Sequence, residues 1–195
     1  MMETIGYDKN HEERQSNDYY ATPPGEIKNI LKHEDLQGTI LENSCGQGHI
    51  AKVVKEQYPD NEVIATDLID RGYGENGLDF LSDDYPYTDV DTVIMNPPFK
   101  HIEGFVNKSL DIADKVLLFA RLQFLESQSR YENIFVDNEP NRVYIYVDRV
   151  SCGKNGNFEE DKNSMSYAWF VWDGSEEHSF EWIRKWNKAR QKKLF

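Results

Sequence analysis

Cysteine is scarce in this chain: Cys45 and Cys152 are the two among 195 residues. So wide a separation gives neither a disulfide framework nor metal-ligand spacing; it is the usage of reduced thiols in a cytosol. Long apolar runs are missing as well. The longest clean one, Val116-Leu117-Leu118-Phe119-Ala120, falls far short of the roughly 20 residues of a membrane-spanning helix. Neither membrane insertion nor a secretory leader is expected. Positive charge is in short supply, with 22 Lys and Arg against 35 Asp and Glu, a net charge of −13. That excludes a protein that holds nucleic acid by its own overall charge. The imbalance is local: residues 60–91 carry ten acids against Arg71, whereas residues 180–195 carry six bases against Glu181. Phosphate contact therefore needs a small basic patch or a partner. No Gly-Lys-Ser/Thr phosphate loop occurs, which disfavours a Walker-type nucleotide triphosphatase.

What is present suits one globular domain, with 38% hydrophobic and 13% aromatic residues. Residues 1–19 are polar and aperiodic and are expected to form a flexible arm ahead of a domain over 20–195. Pro23-Pro24-Gly25 opens a helix over Glu26–Lys32, with Thr22 as the expected N-cap. Strands are expected at Thr39–Glu42, Val63–Asp67, Val90–Met95 and Val116–Ala120. They alternate with helices at Ile50–Gln57, Ile102–Ala113 and Leu122–Arg130. Two β-rich segments follow, Arg142–Val147 and Tyr167–Trp172. Phe180–Lys193 reads as an amphipathic helix docked through Trp182 and Trp186, and residues 151–166 as the most flexible loop. The alternation predicts a mixed seven-stranded α/β sheet with an antiparallel pair at one edge.

The densest chemistry follows Val90–Met95, a short apolar run of the kind buried in parallel sheets. There Asn96-Pro97-Pro98-Phe99 sets an amide, a rigid turn and an aromatic ring at the carboxyl end of a strand. Open α/β sheets bind ligands at that end. An amino group conjugated to an aromatic ring is a poor nucleophile, and a base cannot reach its pKa. Two acceptors help instead: the Asn96 side-chain oxygen and the Pro97 carbonyl each take one N–H and aim the lone pair. The prolines fix φ and preorganise both acceptors. Phe99 offers a face on which a flipped base could stack. The plainer alternative is a Pro-Pro turn ending a strand, with Phe99 in the core.

A second set follows the first strand. Glu42-Asn43-Ser44-Cys45-Gly46-Gln47-Gly48 is a strand–loop–helix turn whose two glycines allow close approach of a ligand. The helix beginning near His49 points its amides at the same space, which suits a carboxylate. Asp67, ending the next strand, stands where a carboxylate accepts two ribose hydroxyls. Asp79-Phe80 offers an acceptor and a ring for a purine. Asp67 as a strand cap and Phe80 as core are the alternatives. Lys100, Arg121 and Gln123 lie on loops facing the substrate side. His101 reads as a solvated helix-start residue. Arg121 and Gln123 serve either a substrate or the backbone at a strand end.

Together these residues resemble the class I S-adenosylmethionine (SAM)-dependent amino-methyltransferases, in particular the N6-adenine DNA methyltransferases of small phage and prophage type. Asn96-Pro97-Pro98-Phe99 matches their catalytic motif, Glu42 to Gly48 their SAM loop, Asp67 the ribose acid and Asp79-Phe80 the adenine contact. Tyr20-Ala21-Thr22-Pro23-Pro24 resembles the Tyr-x-Thr-Pro segment that helps hold SAM. The resemblance spans residues 19–183. It implies a single Rossmann-like domain and catalysis by Asn96, Pro97, Pro98 and Phe99. It places SAM on Tyr20, Thr22, Pro23, Glu42, Asn43, Cys45, Gly46, Gly48, Asp67, Asp79 and Phe80, with no metal. The expected acceptor is adenine in DNA, inside a bacterial or phage-infected cell. With no separate target-recognition domain expected, a partner protein for target recognition is expected. Adenine in RNA, a protein glutamine amide, and a silent SAM-binding subunit are the alternatives.

Overall fold

The computed structural model describes residues 19–158 and 165–186. Among the described residues ten strands are interspersed with helices in chain order. They are β1 (Tyr20–Ala21), α1 (Pro24–Ile30), β2 (Ile40–Glu42), α2 (His49–Gln57), β3 (Val63–Asp67), β4 (Glu75–Asn76) and β5 (Val90–Met95). A 3-10 turn (Phe99–His101) then leads into α3 (Ile102–Ile112). The rest are β6 (Ala113–Arg121), β7 (Arg142–Tyr146), β8 (Gly153–Lys154), β9 (Tyr167–Trp172) and β10 (Ser179–Ile183).

Eight strands form one sheet in the order β10-β7-β9-β6-β5-β2-β3-β4, and β1 pairs with β8 in a separate two-stranded sheet. Only β9 runs against its neighbours in the large sheet, pairing antiparallel with β6 and with β7. The α/β class is as expected. The sheet has eight strands rather than seven, and the antiparallel pair β7–β9 is not its edge, because β10 lies parallel outside β7.

That outer strand replaces the start of the helix expected over Phe180–Lys193. Phe180, Ile183 and Trp186 fit a helical stripe, but Phe180 and Trp182 also fit the two-residue period of a strand. Pairing decides between them. Ser179 N–H donates to Asn141 O (2.8 Å) and Val147 N–H to Ile183 O (3.0 Å), in register with β7. Residues 187–193 of that expected helix, and residues 1–18 of the expected arm, lie outside the described residues.

The helix expected over Leu122–Arg130 is also different. A 3-10 turn (Leu122–Leu125) breaks before a short helix (Gln128–Arg130) that runs into a π-turn (Tyr131–Phe135). Arg130 holds the break. Its guanidinium donates to the carbonyls of Phe124 (2.7 Å), Gln123 (3.0 Å) and Glu126 (2.5 Å), which an uninterrupted helix would have satisfied itself.

The core lies on both faces of the sheet. Along β6, Val116, Leu118 and Ala120 pack with Phe105, Val106, Phe124 and Phe170 on one side. Leu117 and Phe119 pack with Ile27, Ile30, Tyr167 and Trp169 on the other. Burial of both faces is why Val116–Ala120 of β6 and the whole of β9 read as unbroken apolar runs. Among the described residues no helix is long and apolar enough to cross a membrane.

Candidate functional site

Three neighbouring parallel strands end side by side. In the sheet order β5-β2-β3, β5 ends in Asn96-Pro97-Pro98-Phe99, β2 in the glycine loop and β3 in Asp67. The three sets of residues singled out in the sequence therefore share one rim of the sheet.

Asn96 is half-buried, and its side-chain nitrogen is fully engaged. Nδ2 donates to Tyr20 O at 2.6 Å and to Thr22 Oγ1 at 3.0 Å. Both amide protons are thereby committed, and the side-chain oxygen points the other way. Thr22 does not cap α1 as expected: Pro23 holds the N-cap position and makes no side-chain cap. The turn after Asn96 is closed by His101 N–H on Pro98 O (2.9 Å). Pro97 is buried and Pro98 exposed.

Phe99 is half-buried, and the Arg121 guanidinium lies over its ring at 4.5 Å from the centroid. One ring face is thus taken by a cation, an attractive arrangement, and the ring also packs against the core clusters on both sides of the sheet. Arg121 Nε is buried with no hydrogen-bond partner among the described residues. Lys100, His101 and Gln123 are exposed on their turns.

The glycine loop folds around Asp67. Gly46 N–H donates to Asp67 Oδ2 (2.7 Å) and Ile69 N–H to Oδ1 (2.8 Å), so the carboxylate braces two turns and keeps further lone pairs for a ligand. Gly48, the N-cap of α2, has φ 75°, which L side chains rarely adopt. Leu68, immediately after Asp67, is 59% exposed. An exposed leucine at this rim is an apolar platform for a flat ring, and nothing in the local sequence marks it.

Several side chains expected at the cofactor turn inward instead. Glu42 is 2% exposed and accepts from Ala51 N–H at 2.7 Å, tying β2 to the first turn of α2. Asn43 Nδ2 donates to Ser109 Oγ (3.2 Å) in the core. Cys45 Sγ faces Tyr73 O (3.5 Å), and burial pushes its thiol up to about 12. Phe80 is 1% exposed, packed against Tyr85 and Phe105, so its ring offers no free face. For all four the cause is the same: each side chain has found a partner in the interior, and what these positions can offer a ligand is main chain. Asp79 stays exposed, its Oδ1 accepting from Leu81 N–H (3.0 Å).

Burial also pushes the Glu42 carboxyl well above its usual range, more than the Ala51 N–H lowers it. A carboxyl whose pKa is higher in the folded state stabilises the fold at low pH, and that contribution is lost as pH rises through the folded value. Glu42→Gln keeps an acceptor for Ala51 and is expected to remove the decline. Its urea midpoint should gain on that of the parent as pH rises above the ordinary glutamate range. A midpoint difference that does not vary with pH contradicts this.

A roof covers the rim. Residues 153–157 form a tight hairpin whose turn residues Asn155 and Gly156 have φ 50° and 80°, the geometry an Asn-Gly pair favours. The strand β8 of this hairpin pairs with β1, Tyr20 opposite Lys154, and Asn155 N–H donates to Tyr19 O (2.8 Å). A Cβ on Gly156 would collide with Gln47 Oε1, and one on Gly46 would press on the Tyr19 ring. Phe158 packs edge-on against His49 at the start of α2. The loop expected to be most flexible thus includes an ordered lid on the glycine loop.

The rim thus offers a helix start and glycine loop with main-chain N–H groups, the Asp67 carboxylate as acceptor and the exposed apolar side chain of Leu68, a set chemically compatible with SAM. No group of three or more His, Cys, Asp or Glu among the described residues is arranged to hold a metal ion.

No family model matches the chain, and no curated protein matches it in sequence. Solved structures do match in fold. The methyltransferase subunit of a type I restriction-modification system from Streptococcus thermophilus superposes with a TM-score of 0.62 at 10% identity. That match covers 91% of this chain and 52% of the subunit, so the chain spans about half its length. Thermoplasma acidophilum 1320 gives a TM-score of 0.54 at 14% identity, covering 88% of this chain and 99% of that one. The O-methyltransferase from a trans-AT PKS multienzyme of Brevibacillus brevis, in complex with S-adenosyl-L-homocysteine, gives 0.50 at 14% identity, covering 75% and 70%. The chain has the fold of these proteins, the Rossmann-like fold of SAM-dependent methyltransferases.

Proposed function

We propose that this chain is a SAM-dependent methyltransferase acting on the exocyclic amino group of adenine in DNA. The observation that carries the reading is the meeting of Asn96-Pro97-Pro98-Phe99, the glycine loop and Asp67 on one rim of the sheet. Bound SAM would supply a methyl group on a positively charged sulfur, which departs as a neutral thioether. The chain does the rest. Asn96 Oδ1 and the Pro97 carbonyl accept hydrogen bonds from the two amino N–H groups and turn the nitrogen lone pair toward the methyl carbon. The nitrogen forms the new C–N bond and sheds one proton to water. The exposed part of the Phe99 ring would stack on the extruded base, worth about 1–3 kcal/mol, with Arg121 held over the ring. Gly46–Gly48 and the start of α2 bind the carboxylate of SAM, and Asp67 binds its ribose.

The likeness to a restriction-modification subunit supports DNA as the substrate and a second protein as partner. The net charge of −13 supports the partner independently: phosphate affinity rests on neutralising Lys and Arg, which this chain lacks in bulk. The setting that follows is the interior of a bacterial or phage-infected cell. Transfer of labelled methyl from SAM to duplex DNA, single-stranded DNA, RNA and total protein, side by side, tests the reading. N6-methyladenine in DNA is the expected product. Label on RNA or on glutamine would reassign the substrate, and no label on any acceptor would reject the enzyme.

A further inference from the structure

We propose that Thr22 and the Tyr20 carbonyl are the positioning groups of Asn96: by accepting both protons of its amide they lock its oxygen toward the substrate amine. The inference rests on the functional reading above and deepens it, because that reading needs an Asn96 oxygen held in one place.

A primary amide on a strand end rotates about its last torsion, and its two ends differ little in shape. Presenting nitrogen instead of oxygen would set donor against donor at the substrate and oppose the reaction. Strand β5 fixes where Asn96 begins, but not which end of its amide faces out. The two acceptors supply that information, at 2.6 Å and 3.0 Å from Nδ2. Neither is incidental. Thr22 is 2% exposed. Along an extended pair, successive carbonyls point to opposite sides. The Tyr19 carbonyl faces the hairpin and accepts from Asn155, while the Tyr20 carbonyl faces Asn96. The β1–β8 pair therefore serves two ends at once. Its hairpin covers the glycine loop, and its first strand orients the acceptor that grips the substrate.

Two measurements test this. In the 15N-labelled full chain without ligand, both Nδ2 protons of Asn96 are expected to exchange roughly tenfold or more slower than those of exposed Asn138. Exchange as fast as Asn138 overturns the inference. Thr22→Val, nearly isosteric, is expected to speed exchange of one proton and to lower kcat roughly tenfold or more, a larger change than any in KM for SAM. Thr22→Ser should restore both. Parental kcat in Thr22→Val, or a loss lying wholly in SAM affinity, would overturn it. If the parent chain methylates nothing, the functional reading fails, while the exchange result still decides the orientation of Asn96.

Discussion

Asn96→Ala lowers turnover roughly 10²- to 10³-fold, as expected for removal of one preorganised polar group aimed at the reacting atoms. SAM affinity stays within about twofold, because Asn96 binds nothing on the glycine loop; its partners are Tyr20 and Thr22. The split between turnover and affinity is the informative part. An effect shared equally by kcat and SAM binding would mean that the substitution collapses the β1 arm onto the rim. Single-turnover methyl transfer beside calorimetric SAM titration separates the two. Equal turnover by mutant and parent would remove Asn96 from the chemistry.

Asp67→Ala acts on the other half of the site. Losing hydrogen bonds to a charged acceptor costs about 1.5–3 kcal/mol, which is roughly a 10- to 150-fold rise in the Kd for SAM. The expectation lies toward the upper end, because Asp67 also accepts from Gly46 and Ile69 and so shapes the loop that would hold the carboxylate of SAM. Asp67→Asn keeps one acceptor but turns the other into a donor, facing either Gly46 or Ile69. It is expected to fall between parent and alanine. Titration calorimetry with S-adenosylhomocysteine measures the series without turnover. An unchanged Kd in Asp67→Ala would take the carboxylate out of the binding site.

The parts legible in the sequence were those whose signal is local. Val116–Ala120 and Tyr167–Trp172 are buried on both faces, so every residue is apolar and no period is needed to see a strand. Asn96-Pro97-Pro98-Phe99 and the Gly46–Gly48 loop carry their geometry in φ restriction and φ freedom, which residue type alone states. The rest depends on distant partners. Thr22 has the residue type of a helix cap, and its real partner lies 74 residues away. Phe180–Ile183 fits two periods, and pairing with Arg142–Tyr146 chooses one. Asn155-Gly156 reads as a loose turn until β8 meets β1 and makes it a lid. Phe80 and Asn43 have types that suit a ligand, yet core partners claim both side chains.

The most direct test of the shared rim is a crystal structure of the chain grown with S-adenosylhomocysteine. The account predicts the amino-acid end on the Gly46–Gly48 loop, the ribose hydroxyls on Asp67, and the sulfur on the side of Asn96 from which its amide oxygen points. A ligand lodged elsewhere, or an Asn96 amide turned with its nitrogen toward the sulfur, would contradict it.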